Sequence, residues 1–291
     1  MQDTFVKAWA GLESFQGRSS LRSWLYRIAH NVCIDMHRSP QRRALPMDLG
    51  PSRAAEGASP GVPLPEHVWV RPIADERVID LDGDPGEVAE ARESIRLAFV
   101  AALQYLPTKQ RAALILCEVL KWSAIETAEL LETSVAAVNS ALQRARATVA
   151  SVHDDPPLAP RGDSAHEALL VRYVDAFERY DIDALTAVLH DDALLSMPPH
   201  PLWLCGVDEV ISWMFNQGIG CRGSRLVPVS VNGTGAFARC RPASADDDGR
   251  ARWQPWAIQL IEVRVGAITA HHNFLDRDLF TELGLPDHLD A

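Results

Sequence analysis

The sequence predicts a multidomain protein: an all-α N-terminal part with a helix-turn-helix, then a C-terminal α+β domain. Three observations predict it. A chain of 291 residues is long enough for two or three domains. Two Pro-rich stretches, 40–88 and 154–164, interrupt segments of helical period. Beyond residue 165 helical spacing gives way to strand-like runs, the order expected of α+β. The organisation read from these is helical 1–39, linker 40–88, helical 89–153, linker 154–164 and α+β 165–291.

In the first segment, "LRSWLYRIAHNVCIDMHR" repeats Leu21, Trp24, Leu25, Ile28, Val32 and Met36 at steps of three and four, an apolar stripe. Ser20 is placed to cap that helix, after the loop "FQGRSS". The second segment has no sustained period, and its "VWVRPI" is a small apolar patch suited to docking on a neighbour. In the third, Ser123 and Glu126 fit a capping box. Ile125, Ala128 and Leu131 mark the inner face of the helix they open. Thr133 or Ser134 can cap the next, which buries Val135, Val138 and Leu142 beside Ala141 and Ala145. In the last segment one helix is predicted over "HEALLVRYVDAFERYDIDALTAVLH", with Asp191 and Asp192 at its end. A further helix follows near Val207–Asn216. An antiparallel-looking set of strands comes after it: "RLVPVSVNG", "GAFARCRP" and "WQPWAIQLIEVRVGAITAHHNFLD".

Composition is that of an ordinary globular protein, with no apolar run long enough to span a bilayer. The opening "MQDTFVKAW" reads as the inside of a helix rather than a signal peptide. Five cysteines, an odd number with no C-x-x-C pair, argue against a disulfide framework or zinc site and for reduced thiols in the cytosol. No metal or cofactor is expected. The net charge of −11 is uneven: residues 1–50 carry +3, 51–153 carry −4 and 154–291 carry −10. A basic local field is what phosphate contacts require, whatever the chain total.

Two helices joined by a tight turn are the helix-turn-helix plan. The second would present Ser134, Ala137, Asn139, Ser140, Gln143, Arg144 and Arg146 outward. Small residues allow close approach to the major groove. Asn139 or Gln143 could bond a base edge, and Arg144 and Arg146 phosphate or guanine. A plain αα-hairpin with solvated arginines would show the same pattern.

The "LP-x-x-QR" at Leu106, Pro107, Gln110 and Arg111 and the "VNSALQRAR" at Val138–Arg146 resemble the fourth conserved region of extracytoplasmic-function (ECF) sigma factors. "QDTFVKAW…FQGRSSLRSWLYRIAHNVCIDMHR" resembles the second region of the same family. The resemblance implies core RNA polymerase and promoter DNA as partners, and no enzymatic activity. It places Asp3, Phe5 and Trp9 on or near the polymerase-binding helix, and Gly17, Arg18 and Ser19 in a base-capturing loop. Arg27, His30, Asn31 and Asp35 fall on the helix facing the minus-ten strand; Trp24 and Tyr26 could add stacking, though Trp24 sits in the apolar stripe. The fourth region would read the minus-thirty-five element. Family members carry several tens of residues ahead of "QDTF", so the second region reads as N-terminally truncated and a start further upstream is expected.

"YVDAFERYDIDALTAVLHDDALLSMPPHPLWLCGVDEVISWM" resembles a SnoaL-like domain, a curved sheet and helices forming a cone around a pocket. Asp192, Trp213, His271 and Asn273 are the candidate pocket residues, with His200 and His272 as further polar groups. His271 and His272 are adjacent on a strand, so only one can face inward. A small ligand in this domain is the third expected partner. The acidic cone could control the sigma regions by docking on the basic first segment and on the patch around Trp69. Two other readings use the same residues: a one-component helix-turn-helix regulator with a ligand-sensing cone, and an enzyme with catalysis in the cone through Asp192 or His271.

Overall fold

A computed structural model describes residues 2–12, 15, 20–37, 44–79, 84, 86–89, 92, 106–152, 163–243 and 252–290. The chain divides into two units: Met1–Arg42 with Ala101–Asp154, and Arg43–Val100 with Asp155–Ala291.

In the first unit, α1 (Gln2–Gly11) and α2 (Leu21–His37) pair with each other. The α2 stripe holds in part. Val32 is buried and Trp24, Leu25 and Ile28 are half-buried, but Leu21, at the helix start, is exposed. Ser20 stands just ahead of α2, its carbonyl accepting from Trp24 N at 3.0 Å. Helix α3 (Thr108–Leu114) starts after Pro107 and runs into a π-helical turn, Ile115–Val119. Arg111 of the "LP-x-x-QR" stretch donates to the Leu106 carbonyl at 2.9 Å. Helices α4 (Ala124–Leu130) and α5 (Val135–Val152) complete the unit.

The second unit opens with α6 (Ser164–Arg179), capped by Asp163, whose carboxylate accepts from Ala165 N. The single helix expected here is broken. Tyr180 takes a left-handed conformation, φ 61°, and Asp181 caps a separate α7 (Ile182–Thr186). Leu169, Leu170, Tyr173 and Phe177 recur on the buried face of α6, and the break turns the chain into the sheet. Strands β1 (Leu189–Ser196), β2 (Trp203–Cys205), β3 (Arg225–Val231), β4 (Thr234–Pro242), β5 (Arg252–Arg264), β6 (Ala267–Phe274) and β7 (Leu289–Asp290) form one sheet. Its order is β2-β1-β6-β5-β4-β3, with β7 on β5. The sheet is mixed rather than antiparallel, because β1 pairs parallel to β6. Helices α8 (Val207–Phe215) and α9 (Asp278–Glu282) finish the unit. Leu185, Val210, Trp213, Phe237, Ile261 and Ile268 share a core with the α6 face.

Residues 44–79 correct the linker reading. They are irregular, as their Pro and Gly content requires, yet they are fastened along the second unit as a strap. Trp203 Nε1 donates to the Gly50 carbonyl at 2.8 Å, and Gln217 Nε2 to that of Ala55 at 2.8 Å. Ala55 N donates to Glu209 Oε2 at 2.5 Å. Leu64 N donates to Pro199 O at 2.8 Å, and Ile73 N to Asn232 Oδ1 at 2.9 Å. Arg71 bonds Glu66, Asp276 and Glu282 at 2.5, 2.8 and 3.0 Å. Asp75, fully buried, accepts from Gly233 N at 2.9 Å and lies 3.8 Å from Arg92 Nε. Trp69, the centre of the apolar patch, is 2% exposed. An irregular segment must satisfy its backbone polar groups from elsewhere; here the second unit supplies the partners.

Candidate nucleic-acid interface and cavity

The helix-turn-helix forms as its local chemistry dictates. Ser123 Oγ accepts from Glu126 N at 3.2 Å, and Glu126 Oε2 accepts from Ser123 N at 2.8 Å, a closed capping box. The α4 helix ends with Glu132 at φ 51°, and Thr133 N returns to Ala128 O at 2.9 Å. Of the two cap candidates Ser134 does the work, its Oγ accepting from Ala137 N at 3.2 Å. Ala113, Ala128, Val138 and Ala141 pack together, and Ala145 is fully buried. Two inner-face expectations fail. Ile125 is 62% exposed, with Thr127 and Leu130 buried in its stead, and Val135 is 39% exposed. Both lie in the first turn of their helices.

On the outward side of α5, Ser134, Ala137, Asn139, Gln143, Arg144 and Arg146 are exposed and Ser140 half-buried. Two arginines bond within the protein. Arg144 Nη1 donates to Ser140 Oγ at 2.6 Å, and Arg146 Nε donates to Glu118 Oε1 at 3.1 Å. Such exposed pairs are worth at most about 1 kcal/mol, so phosphate can displace them. Within the same unit the Tyr26 ring meets that of Trp122 edge-on at 5.1 Å, joining α2 to the entry of α4. Trp9 is exposed on α1, and Arg27 and Asn31 are exposed on α2. Asp3, Phe5, His30 and Asp35 lie on these helices, their side chains outside the description, and Gly17, Arg18 and Ser19 fall outside the described residues.

The second unit forms a cavity of about 420 Å³. Period-two alternation and strand register build its polar wall. Phe237 pairs with Gln259, Arg239 with Ala257, Gln259 with Asn273 and Ile261 with His271, placing these residues on one face. Three of the four candidate pocket residues, Trp213, His271 and Asn273, line it, as does His200. Asp192 does not. It is exposed on the irregular stretch of β1, where the register with β6 shifts between Leu189 and Leu194, and Ala193 and Leu195 take the inward positions. Nor does Asp191 or Asp192 end a helix; both belong to β1.

A hydrogen-bonded row links the lining residues His271, Asn273 and Arg239 through the buried Tyr173 and Gln259. Tyr173 Oη lies 2.5 Å from His271 Nε2 and donates to Gln259 Oε1 at 3.0 Å. Gln259 Nε2 donates to Asn273 Oδ1 at 2.9 Å, and Arg239 Nη1 donates to the same oxygen at 3.3 Å. With the Tyr173 proton on Gln259, His271 donates from Nε2 and its Nδ1 is an acceptor. Burial, followed by the nearby Arg239 charge, lowers the His271 pKa to about 3, so its ring is neutral at neutral pH. Burial likewise pushes the Tyr173 hydroxyl well above its ordinary range. His272 faces the other side of the sheet, Nδ1 2.8 Å from Ser196 Oγ and Nε2 3.7 Å from Glu262, so one histidine of the pair points inward. That partner, then Arg264, holds the buried Glu262 carboxyl below its ordinary pKa against the pull of desolvation.

Sequence reasoning missed Arg239, Arg241, Tyr173 and Gln259. The signal for the arginines was present: in "GAFARCRP" they share the period-two face of core residue Phe237. The strap also reaches the cavity, through Ala58, Ser59 and Pro60. His200 Nδ1 donates to the Gly61 carbonyl at 2.8 Å beside them.

Comparison with known proteins follows the same division. Residues 1–43 match the sigma-70 region 2 family, 96–149 the sigma-70, region 4 family and 170–271 the SnoaL-like domain family. The chain is 39% identical over 294 residues to ECF RNA polymerase sigma factor SigG of Mycobacterium tuberculosis, covering 99% of this chain and 77% of that one. It is 27% identical over 275 residues to ECF RNA polymerase sigma factor SigJ of the same organism, covering 89% and 78%. The crystal structure of M. tuberculosis SigJ aligns at a TM-score of 0.59 and 24% identity, over 98% of this chain and 91% of that one, a likeness of fold.

Proposed function

This chain belongs to the extracytoplasmic-function RNA polymerase sigma factors, and on that premise we propose that it brings core RNA polymerase to a set of promoters under the control of its own C-terminal unit. The single observation that carries the DNA half is the outward face of α5. Ala137, Asn139, Gln143 and Arg144 stand exposed behind the Ser134 cap, on a helix held by a buried seam of small residues. In this reading Asn139 and Gln143 meet base edges of the minus-thirty-five element, and Arg144 and Arg146 meet phosphate. Arg27, His30, Asn31 and Asp35 face the minus-ten strand, and Asp3, Phe5 and Trp9 lie toward the polymerase.

The control half rests on the strap. Residues 44–79 of the segment that joins the two sigma regions in sequence are bonded to the C-terminal unit and touch its cavity. Whatever changes the cavity therefore acts on the connector. In this reading the C-terminal unit works by contact; the His271 imidazole, its pKa lowered by burial to about 3, is a poor base at neutral pH.

Run-off transcription with purified core polymerase on genomic fragments tests this reading. The chain directs initiation at discrete sites, and removal of the C-terminal unit changes the yield. A chain that shifts DNA alone yet never supports initiation with polymerase is instead a one-component regulator.

A further inference from the structure

The cavity carries an electrostatic imbalance. Arg239 is 5% exposed, and its acceptors are Asn273 Oδ1 and, at 3.2 Å, Cys221 Sγ, an amide oxygen and a weak sulfur acceptor. Among the described residues its Nε has no partner. Arg241, half-buried, lies over the Trp256 ring, 3.9 Å from its centre, and donates from Nε to the Gly220 carbonyl at 2.6 Å. Among the described residues Trp256 Nε1 and His271 Nδ1 are also buried without partners. All four residues line the cavity, and among the described residues no carboxylate lines it. Arginine cannot shed its proton to escape burial. A buried cation is stable only when an anion or a full set of acceptors meets it.

The lining also holds the apolar side chains of Leu195, Met197, Trp213 and Met214, with Tyr180, His200 and Gln217 as further polar groups. Its volume lies in the range of small-molecule sites. We propose that this cavity binds a small organic anion with a flat apolar body, its carboxylate taken by Arg239 and Arg241 and its body laid against Trp213 and Met214. The neutral His271 ring admits a hydroxyl or amide beside the carboxylate, whereas a second anion would have no further cation to meet. The inference deepens the regulatory role proposed for the C-terminal unit, but it is read by direct binding. A failure in binding leaves promoter recognition standing, and a failure in transcription leaves the site standing.

The experiment is isothermal titration of the full chain at pH 7 with three probes of one shape: 2-naphthoate, 2-naphthylmethanol and 2-naphthylmethylammonium. Benzoate and anthracene-2-carboxylate vary the body. One carboxylate of the series binds saturably at one site, the alcohol binds at least about tenfold more weakly, and the ammonium does not bind. Arg239→Gln lowers carboxylate affinity by about tenfold or more, and Trp256→Phe, which keeps the ring and removes the N–H, by about fivefold. Thermal melting checks that each variant folds; should Arg239→Gln unfold, Arg241→Gln and Trp256→Phe carry the test. Equal binding of alcohol and carboxylate, undiminished binding by the folded variants, or no saturable binding by any carboxylate overturns the proposal.

Discussion

On α5, Asn139, Gln143 and Arg144 stand in water; at and beside the cavity wall, Arg239, His271 and Gln259 are buried. The two regions hold similar donors and acceptors under opposite terms. An exposed group always has water as a partner, so its protein contacts are cheap and exchangeable. A buried group has only what the fold places beside it, and each missing partner costs free energy. A surface that must slide along and release many DNA sites suits the first arrangement. A site that must discriminate one small ligand suits the second.

The comparison can be broken most forcefully at Asp75. Asp75→Ala strips the acceptor from Gly233 N and the counter-charge from Arg92. A loss of about 3 kcal/mol in the stability of the second unit is expected by urea denaturation. A loss below about 1 kcal/mol would mean that buried and exposed polar groups are not so different here. Acid gives the next largest effect. The His271 pKa is depressed from 6.5 to about 3 on folding, so the unfolded chain binds more protons between those values. Its contribution is whole above pH 6.5 and is lost as pH falls toward 3, about 2 kcal/mol between pH 6.5 and 4.5. Glu262, lowered in the fold, adds in the same direction below its ordinary value of 4.5. His271→Gln should flatten the stability profile above pH 4.5, and an unchanged profile would remove His271 as its source.

On the exposed side, Asn139→Ala should leave the melting temperature unchanged while costing about 1–2 kcal/mol at one base position of the minus-thirty-five element. Transcription from single-base promoter variants would show it; a uniform loss at every position would assign Asn139 to the backbone instead. The smallest effect belongs to Glu118→Ala. Freed from its exposed partner, Arg146 should change stability by less than about 1 kcal/mol. A steeper dependence of promoter binding on salt would follow, as one more cation reaches phosphate.

What could be read in the sequence was what is local. The Ser123–Glu126 box spans three residues, and the sheet shows itself in strand-like runs such as "RLVPVSVNG" and "GAFARCRP". Asp192 was misplaced because a register shift in β1 is invisible without its partner β6. Arg239 was legible in principle, since its period on β4 matches Phe237. The strap was not. Its bonds join residues as far apart as Gly61 and His200, or Arg71 and Glu282, and a segment rich in Pro and Gly has no period to betray them. The same opacity hid the Arg146 pairing with Glu118, across 28 positions.

The strap sets the terms on which such a chain can be recombined. A flexible connector accepts insertions at little cost and can be exchanged freely, whereas residues 44–79 share hydrogen bonds with residues beyond 195. A C-terminal domain grafted onto other helical regions has to bring that stretch with it, although the two lie on opposite sides of the helix-turn-helix in sequence. The unit of inheritance is therefore discontinuous, and a fusion cut at the apparent linker would divide one folded body in two.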